Sequence, residues 1–241
     1  MKTMLVTGAS SGIGYATALQ AVEQGFTVYA CGRNQERLDE LARHSDNIKT
    51  LAFDLTDLQV CKLVLGNLNV DVVVVNAGTC EYIDVEKWDS EAFHRVFDVN
   101  YFSVVYCLEA LLPNLQSGAQ LVFIDSLARM LPFTRSQAYG ASKAALFYLA
   151  KTLDVDLRDR GITVQTLSPG FVATPLTAKN TFSMPMQITA EEAGASVVKA
   201  INRKVKTGYF PMCFSAIIRL LSATPYALQS WLCSAMKRKA A

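Results

Sequence analysis

A tyrosine and a lysine stand four positions apart in Tyr139-Gly140-Ala141-Ser142-Lys143. On a helix that spacing puts both side chains on one face. A free phenol has a pKa near 10, too high for efficient proton transfer at neutral pH. An ammonium beside it favours the phenolate and is expected to lower that value. Taken alone, such a pair is an ordinary surface neighbourhood on an amphipathic helix. Here Ser126 precedes it, at the end of the apolar run 120–125. A strand-end hydroxyl entering the same cleft can hold a substrate oxygen while Tyr139 exchanges its proton, with Lys143 sustaining the charge.

A second set of residues suits a phosphate-bearing ligand. Thr7-Gly8-Ala9-Ser10-Ser11-Gly12-Ile13-Gly14 follows a short β-rich run and precedes an amphipathic stretch. A strand that turns sharply into a helix while its backbone nears a pyrophosphate needs positions without a β-carbon. The helix N-terminus then offers N–H donors and a positive dipole. The next β-rich run ends Cys31-Gly32-Arg33. A site for NAD usually places a carboxylate there for the ribose 2′-hydroxyl, whereas a 2′-phosphate calls for a cation. Gly32 stands at the acid's position and Arg33 follows, so NADP(H) is the expected cofactor. Asp54, followed by Leu55, reads either as an acceptor for an adenine amino group or as part of a helix start with Thr56 and Asp57.

These residues must be held by alternating strands and helices. β-Rich runs predict strands at Thr3–Thr7, Phe26–Cys31, Lys49–Asp54, Asp71–Val75, Gln120–Asp125, Thr163–Ser168 and Gly208–Pro211. Apolar periodicity predicts helices around 12–24, 34–44, 56–67, 90–115, 137–160 and 190–204. The runs at 71–75 and 120–125 are almost continuously apolar, as in strands buried on both faces. The pattern predicts an α/β fold, a doubly wound parallel sheet in a single domain over residues 1–241. Residues 1–120 would mainly bind cofactor, 121–211 carry the catalytic and substrate loops, and 212–241 form an apolar helical C-terminal segment.

The sequence has 241 residues, 51% hydrophobic and 18% charged, which is a globular composition. Its net charge of +2 argues against nucleic acid as a partner. The six cysteines form no CxxC pair, and two histidines complete no zinc spacing. Their scatter suits reduced thiols, and no metal is expected. Lys2 is followed by too short an apolar run for a secretory leader, and no stretch reaches the roughly 18–20 apolar residues of a membrane span. A cytoplasmic location is expected.

With these motifs in view, the chain resembles the short-chain dehydrogenase/reductase family over nearly its whole length. The likeness rests on Thr7–Gly14, Asn76-Ala77-Gly78, Asn100, Ser126 with Tyr139 and Lys143, and Pro169-Gly170. It implies a Rossmann-type sheet of about seven parallel strands and a homodimer or homotetramer. It also implies roles. Asn76, Ala77 and Gly78 would support the central sheet and line the cofactor. Asn100 would hold a helix bend and a water linked to Lys143. Pro169, Gly170, Val172 and Thr174 would border the nicotinamide, with Thr174 bonding its carboxamide. The implied activity is reduction of a carbonyl, or oxidation of the alcohol, through Asn100, Ser126, Tyr139 and Lys143. A sensor that binds NADP(H) without turnover is the alternative on the same fold, although it would have no chemical need for all four residues.

Substrate contacts are expected from Cys80-Glu81-Tyr82, Leu127–Thr134 and Phe171–Met186. The last two are apolar for loops, which suits either a lipophilic substrate or a subunit contact. Arg129 and Arg135 could meet an acidic substrate group but read as solvated surface cations. Residues 212–239 combine apolar helical segments with Lys237-Arg238-Lys239. They are expected to cap the pocket, to meet a partner subunit, or to contact a membrane surface peripherally.

Overall fold

The computed structural model describes residues 2–240, the side chains of 237–240 excepted. Seven strands form one sheet: β1 Thr3–Thr7, β2 Thr27–Gly32, β3 Ile48–Ala52, β4 Val72–Val75, β5 Gln120–Ile124, β6 Thr163–Pro169 and β7 Thr207–Phe210. Every pairing is parallel, in the order β3-β2-β1-β4-β5-β6-β7. The expected doubly wound sheet is therefore present. Its order reverses between β1 and β4, and a crevice opens there at the carboxyl ends of the strands.

Side chains alternate across the sheet because the strand period is two. Leu5, Val73, Leu121 and Phe123 enter the core on one face, with Leu65, Leu111 and Leu146. Met4, Val6, Val72, Val74 and Val122 enter the other, with Leu38, Leu41, Val197 and Ile201. The first face is covered by α3 Leu58–Leu65, α5 Ser103–Leu111 and α6 Gln137–Asp156. The second is covered by α1 Gly12–Glu23, α2 Gln35–Ala42 and α7 Ala190–Asn202. Local chemistry starts several of these helices. Asn34 accepts from the Arg37 amide, Asp57 from Gln59 and Val60, and Thr189 forms a capping box with Glu192. Helices α1 and α7 pack closely: a β-carbon at Gly194 would lie 2.6 Å from the Ala16 carbonyl carbon.

One expected helix is divided. The stretch 90–115 contains α4 Ser90–Phe97, a π-helical turn Asp98–Phe102 and α5, which ends at Leu111. Apolar spacing continues across the break, so its period alone suggests one helix. Beyond β7 lie α8 Met212–Ser222 and α9 Tyr226–Ala240. They fold back over the loop after β5, where Leu127, Leu131, Ile218 and Cys233 share a small core with Met130, Phe133 and Phe214. They thus pack within the chain, against one of the loops expected to meet substrate. Among the described residues, no helix is long and apolar enough to cross a membrane. The side chains of Lys237, Arg238 and Lys239 lie outside the described residues.

The loop after β5 is held by a buried ion pair. Arg129 Nε donates to the Asp125 carboxylate, the Asp125 side chain is fully buried, and that of Arg129 is 10% exposed. The guanidinium also lies 3.5 Å from the Phe147 ring centroid and 3.4 Å from Ser168 Oγ. The expected solvated position of Arg129 is thus corrected. Asp125 stands four residues earlier on the sheet edge, and α6 supplies an aromatic face, so the cation is buried with partners. Removing one partner of such a pair leaves an uncompensated buried charge and costs about 3–5 kcal/mol. Arg129→Met is expected to lower the melting temperature by roughly 6–20 °C, at about 2–4 °C per kcal/mol for a chain of this size. A thermal denaturation curve superimposable on that of the parent would contradict it.

Candidate active site

The β1–α1 turn requires its glycines. Gly8 and Gly12 have φ of +68° and +56°, in the left-handed region. Gly14 is excluded from other identities by contact, since a β-carbon there would stand 2.3 Å from the Gly8 carbonyl oxygen. Ser11 precedes α1 without a side-chain capping bond, and Ile13 packs partly against the core. The first N–H groups of α1 thus face out of the helix with its positive dipole. Thr174 reaches this turn: its Cγ2 would be 3.0 Å from a β-carbon on Gly12.

At the end of β2, Gly32 abuts Ser10, whose Oγ would lie 3.1 Å from a β-carbon there. The Arg33 side chain is 71% exposed and stands 3.8 Å from Asp54. Burial raises the Asp54 carboxyl, but bonds from Thr56 and the Arg33 charge together bring it below its usual range. Asp54 Oδ1 accepts from Thr56 N and Oγ1 at 2.9 and 2.8 Å, while Asp57 caps α3. Asp54 therefore shapes the turn before the helix without being its cap. Leu55 is buried in the core, so only its backbone could face a ligand.

The turn after β4 is tied to β1 by one hydroxyl. Thr7 Oγ1 accepts from Asn76 N at 2.9 Å and Ala77 N at 3.1 Å, and Asn76 Nδ2 donates to Thr7 O at 2.9 Å. Gly78 then meets the catalytic candidates. A β-carbon on it would lie 3.3 Å from Asn100 Oδ1 and 3.4 Å from Lys143 Nζ. Asn100 occupies the π-helical turn and is fully buried. Its Oδ1 accepts from Thr79 N at 2.7 Å; its Nδ2 donates to Thr79 O and to Ser142 Oγ, both at 2.9 Å. The expected helix bend is present, and the asparagine clamps the loop after β4 to α6. Such π turns commonly mark functional positions.

Lys143 Nζ donates to Ile124 O at 3.0 Å and stands 5.9 Å from the Tyr139 ring centroid. Ser126 Oγ accepts from Ala128 N at 3.1 Å and lies near enough to the Tyr139 phenol to favour its ionised form. The structure thus gathers Asn100, Ser126, Tyr139 and Lys143 beside Gly78. The phenol does not follow the expectation of a lowered pKa. Burial pushes it up to about 12; the Ser126 hydroxyl opposes this, and charge on Cys80 or Asp125 adds to it. Burial also brings Lys143 down to about 8, against the pull of Asp125 and Cys80. The same exclusion of water thus favours the neutral form of each group.

Pro169, the last residue of β6, is buried, and Gly170 N donates to Phe210 O at 2.8 Å. Val172 is buried, its carbonyl accepting from Thr177 Oγ1, while Thr174 N donates to Thr177 Oγ1 at 3.0 Å. The loop that follows joins an aromatic wall. Phe171 stacks near Phe182 and Phe214, at 6.1 and 5.3 Å between centroids. Phe182 meets Tyr82 at 5.8 Å, and Tyr82 Oη donates to Asn180 Oδ1 at 2.7 Å. Tyr82 and Cys80 lie near enough to Tyr139 for their charges to influence one another. Phe214 was outside the expected substrate loops. It comes from α8, and no local spacing signals that a residue there returns to Gly170.

A profile of the short chain dehydrogenases matches residues 2–184. An uncharacterised oxidoreductase of Staphylococcus epidermidis is 31% identical over 210 residues, covering 84% of this chain and 91% of its own. A 3beta-hydroxysteroid dehydrogenase of Mediterraneibacter gnavus is 34% identical over 193 residues, covering 74% and 69%. Among solved structures, the closed form of a serine dehydrogenase complexed with NADP+ has a TM-score of 0.76 and 27% identity, over 86% of this chain and 94% of that one. With most of its residues inside that profile and its sheet shared with such structures, the chain belongs to the short-chain dehydrogenase/reductase family of oxidoreductases.

Proposed function

We propose that the chain is an NADP(H)-dependent reductase of a lipophilic carbonyl compound. The observation that carries this reading is the meeting of Ser126, Tyr139, Lys143 and Asn100 beside Gly78, at the sheet's ligand-binding edge. The residues present fit a dinucleotide. The turn at Gly8–Gly14 lacks a β-carbon at Gly8, Gly12 and Gly14, with Ser10, Ser11 and Ile13 at the head of α1. Arg33 offers a weakly committed cation for a 2′-phosphate, since its pairing with Asp54 is long and exposed. Asn76, Ala77 and Gly78, with Pro169, Gly170, Val172 and Thr174, would border the nicotinamide, and the backbone around Asp54 and Leu55 the adenine. The NADP+ complex of the related serine dehydrogenase supports this choice.

When bound, the reduced nicotinamide supplies hydride for the carbonyl carbon. Ser126 holds the carbonyl oxygen and Tyr139 donates the proton to it. A phenol with a pKa of about 12 stays protonated at neutral pH, the form that reduction requires. Lys143, largely charged at that pH, offsets the negative charge left on the phenolate. Asn100 holds the loop after β4 and α6 in place. The aromatic wall excludes water and suits an apolar substrate. The hydroxysteroid dehydrogenase relative supports a lipophilic class.

Three measurements test the reading. Across ketones, aldehydes and 3-oxoacyl compounds, Tyr139→Phe should lose roughly 10²–10⁴-fold in NADPH turnover, the usual range for a general acid, while still binding NADPH. Equal turnover by parent and variant would exclude the tyrosine as proton donor. Arg33→Ala should narrow the ratio of NADH to NADPH dissociation constants by roughly 10- to 100-fold, a charged hydrogen bond contributing about 1.5–3 kcal/mol. An unchanged ratio would remove Arg33 from the 2′-phosphate. Lys143 loses its charge as pH rises through about 8, so kcat/KM for NADPH, which reports the ligand-free protein, should fall above that pH. A flat profile from pH 7 to 10 would contradict it.

A further inference from the structure

Helix α8 has two apolar faces. Ser215 and Ile218 are buried and Phe214 and Leu221 half-buried, toward the loop after β5. At about 100° per residue, Met212, Ala216, Leu220, Cys213 and Ile217 fall on the opposite arc. All five are exposed, Met212 by 81% and Leu220 by 72%, with Arg219 at the rim. A water-facing helix arc is normally polar. Helix α9 adds further exposed apolar side chains, Tyr226, Leu228 and Trp231.

The charge of this part of the chain is one-sided. All 21 Asp and Glu residues lie at or before Glu192; residues 193–241 hold eight of the 23 Lys and Arg and no carboxylate. Residues 1–192 therefore sum to −6 (15 cations, 21 acids) and 193–241 to +8. Among those cations, Arg219 and the consecutive Lys237, Arg238 and Lys239 belong to α8 and α9. A second copy is a poor occupant. A two-fold contact through these two helices would bring together two cationic surfaces, neither of which supplies an acid to pair them. An anionic bilayer complements both properties, its acyl boundary receiving the apolar arc and its headgroups the cations. Tyr and Trp are favoured at such interfaces because each joins an apolar ring to a polar tip.

We propose that the outward face of α8 and α9 docks on an anionic lipid surface, lying along it without crossing. The docked face adjoins the substrate side of the protein, because Phe214 on the inner side of α8 belongs to the aromatic wall. The test uses the full chain in flotation with vesicles of phosphatidylcholine alone or of equal parts phosphatidylcholine and phosphatidylglycerol. The chain should float with the anionic vesicles only and be released by high salt. Leu220→Glu with Trp231→Glu should weaken that binding at least tenfold while NADPH binding and the melting temperature stay unchanged. The milder pair Leu220→Gln with Trp231→Gln should weaken it in the same direction. Absence of flotation, flotation without anionic lipid, or binding indifferent to both pairs of substitutions would overturn the proposal. So would a smaller oligomer in the variants by sedimentation, which would assign the face to a second copy.

Discussion

The crevice depends on how β1 and β4 are held where the sheet changes direction. Backbone pairing brings Met4, Leu5 and Val6 beside Val72, Val73 and Val74, but pairing alone does not shape the two turns beyond. The Thr7 hydroxyl does that, by accepting two amides of the β4 turn while the Asn76 amide returns to β1. Buried backbone donors need partners. Here the partners come from the neighbouring turn, so the glycine-rich turn and the loop bearing Gly78 take their positions from each other. Lys143 and Asn100 approach Gly78 so closely that a β-carbon there would crowd both, at 3.4 and 3.3 Å.

Burial is the main electrostatic influence in the cleft. It raises the Tyr139 phenol and the Asp125 carboxyl, and it lowers the Lys143 ammonium. Each shift favours the uncharged form, as expected where water is scarce. Asp125 keeps company with Arg129, which in turn holds the loop that begins with Ser126. The hydroxyl at the centre of the site is therefore positioned by an ion pair immediately behind it.

Much of this was legible in the residues. Strands buried on both faces appear as unbroken apolar runs, so Val72–Val75 and Gln120–Ile124 agree with the sequence reading to within a residue. The glycine turn and the Ser126, Tyr139 and Lys143 spacing are local patterns that survive in three dimensions. Long-range contacts were harder to see. Tyr82 and Asn180 are 98 residues apart, and nothing near either one indicates the bond between them. Arg129 looked solvent-exposed because its setting comes from Phe147 and Ser168, although the carboxylate four residues before it was a usable sign. The raised pKa of Tyr139 was not visible either. Spacing shows that an ammonium is near, but not how little water remains.

The π-helical turn at Asp98–Phe102 also changes the phase of the chain. One such turn adds about one residue to an α-helix, and one residue corresponds to about 100° of rotation. Before it, α4 directs Ala92 and Val96 toward Ala138 of α6; after it, α5 directs Val104, Cys107 and Leu111 into the core beneath the sheet. The two sets pack into different clusters, and the turn sets the rotation of one relative to the other. Asn100 therefore sits on the residue count itself. Loss of one position between 98 and 102 would rotate a packed helix out of register at the same stroke as it displaced the asparagine, so this segment tolerates substitution of its side chains far better than any change in its length.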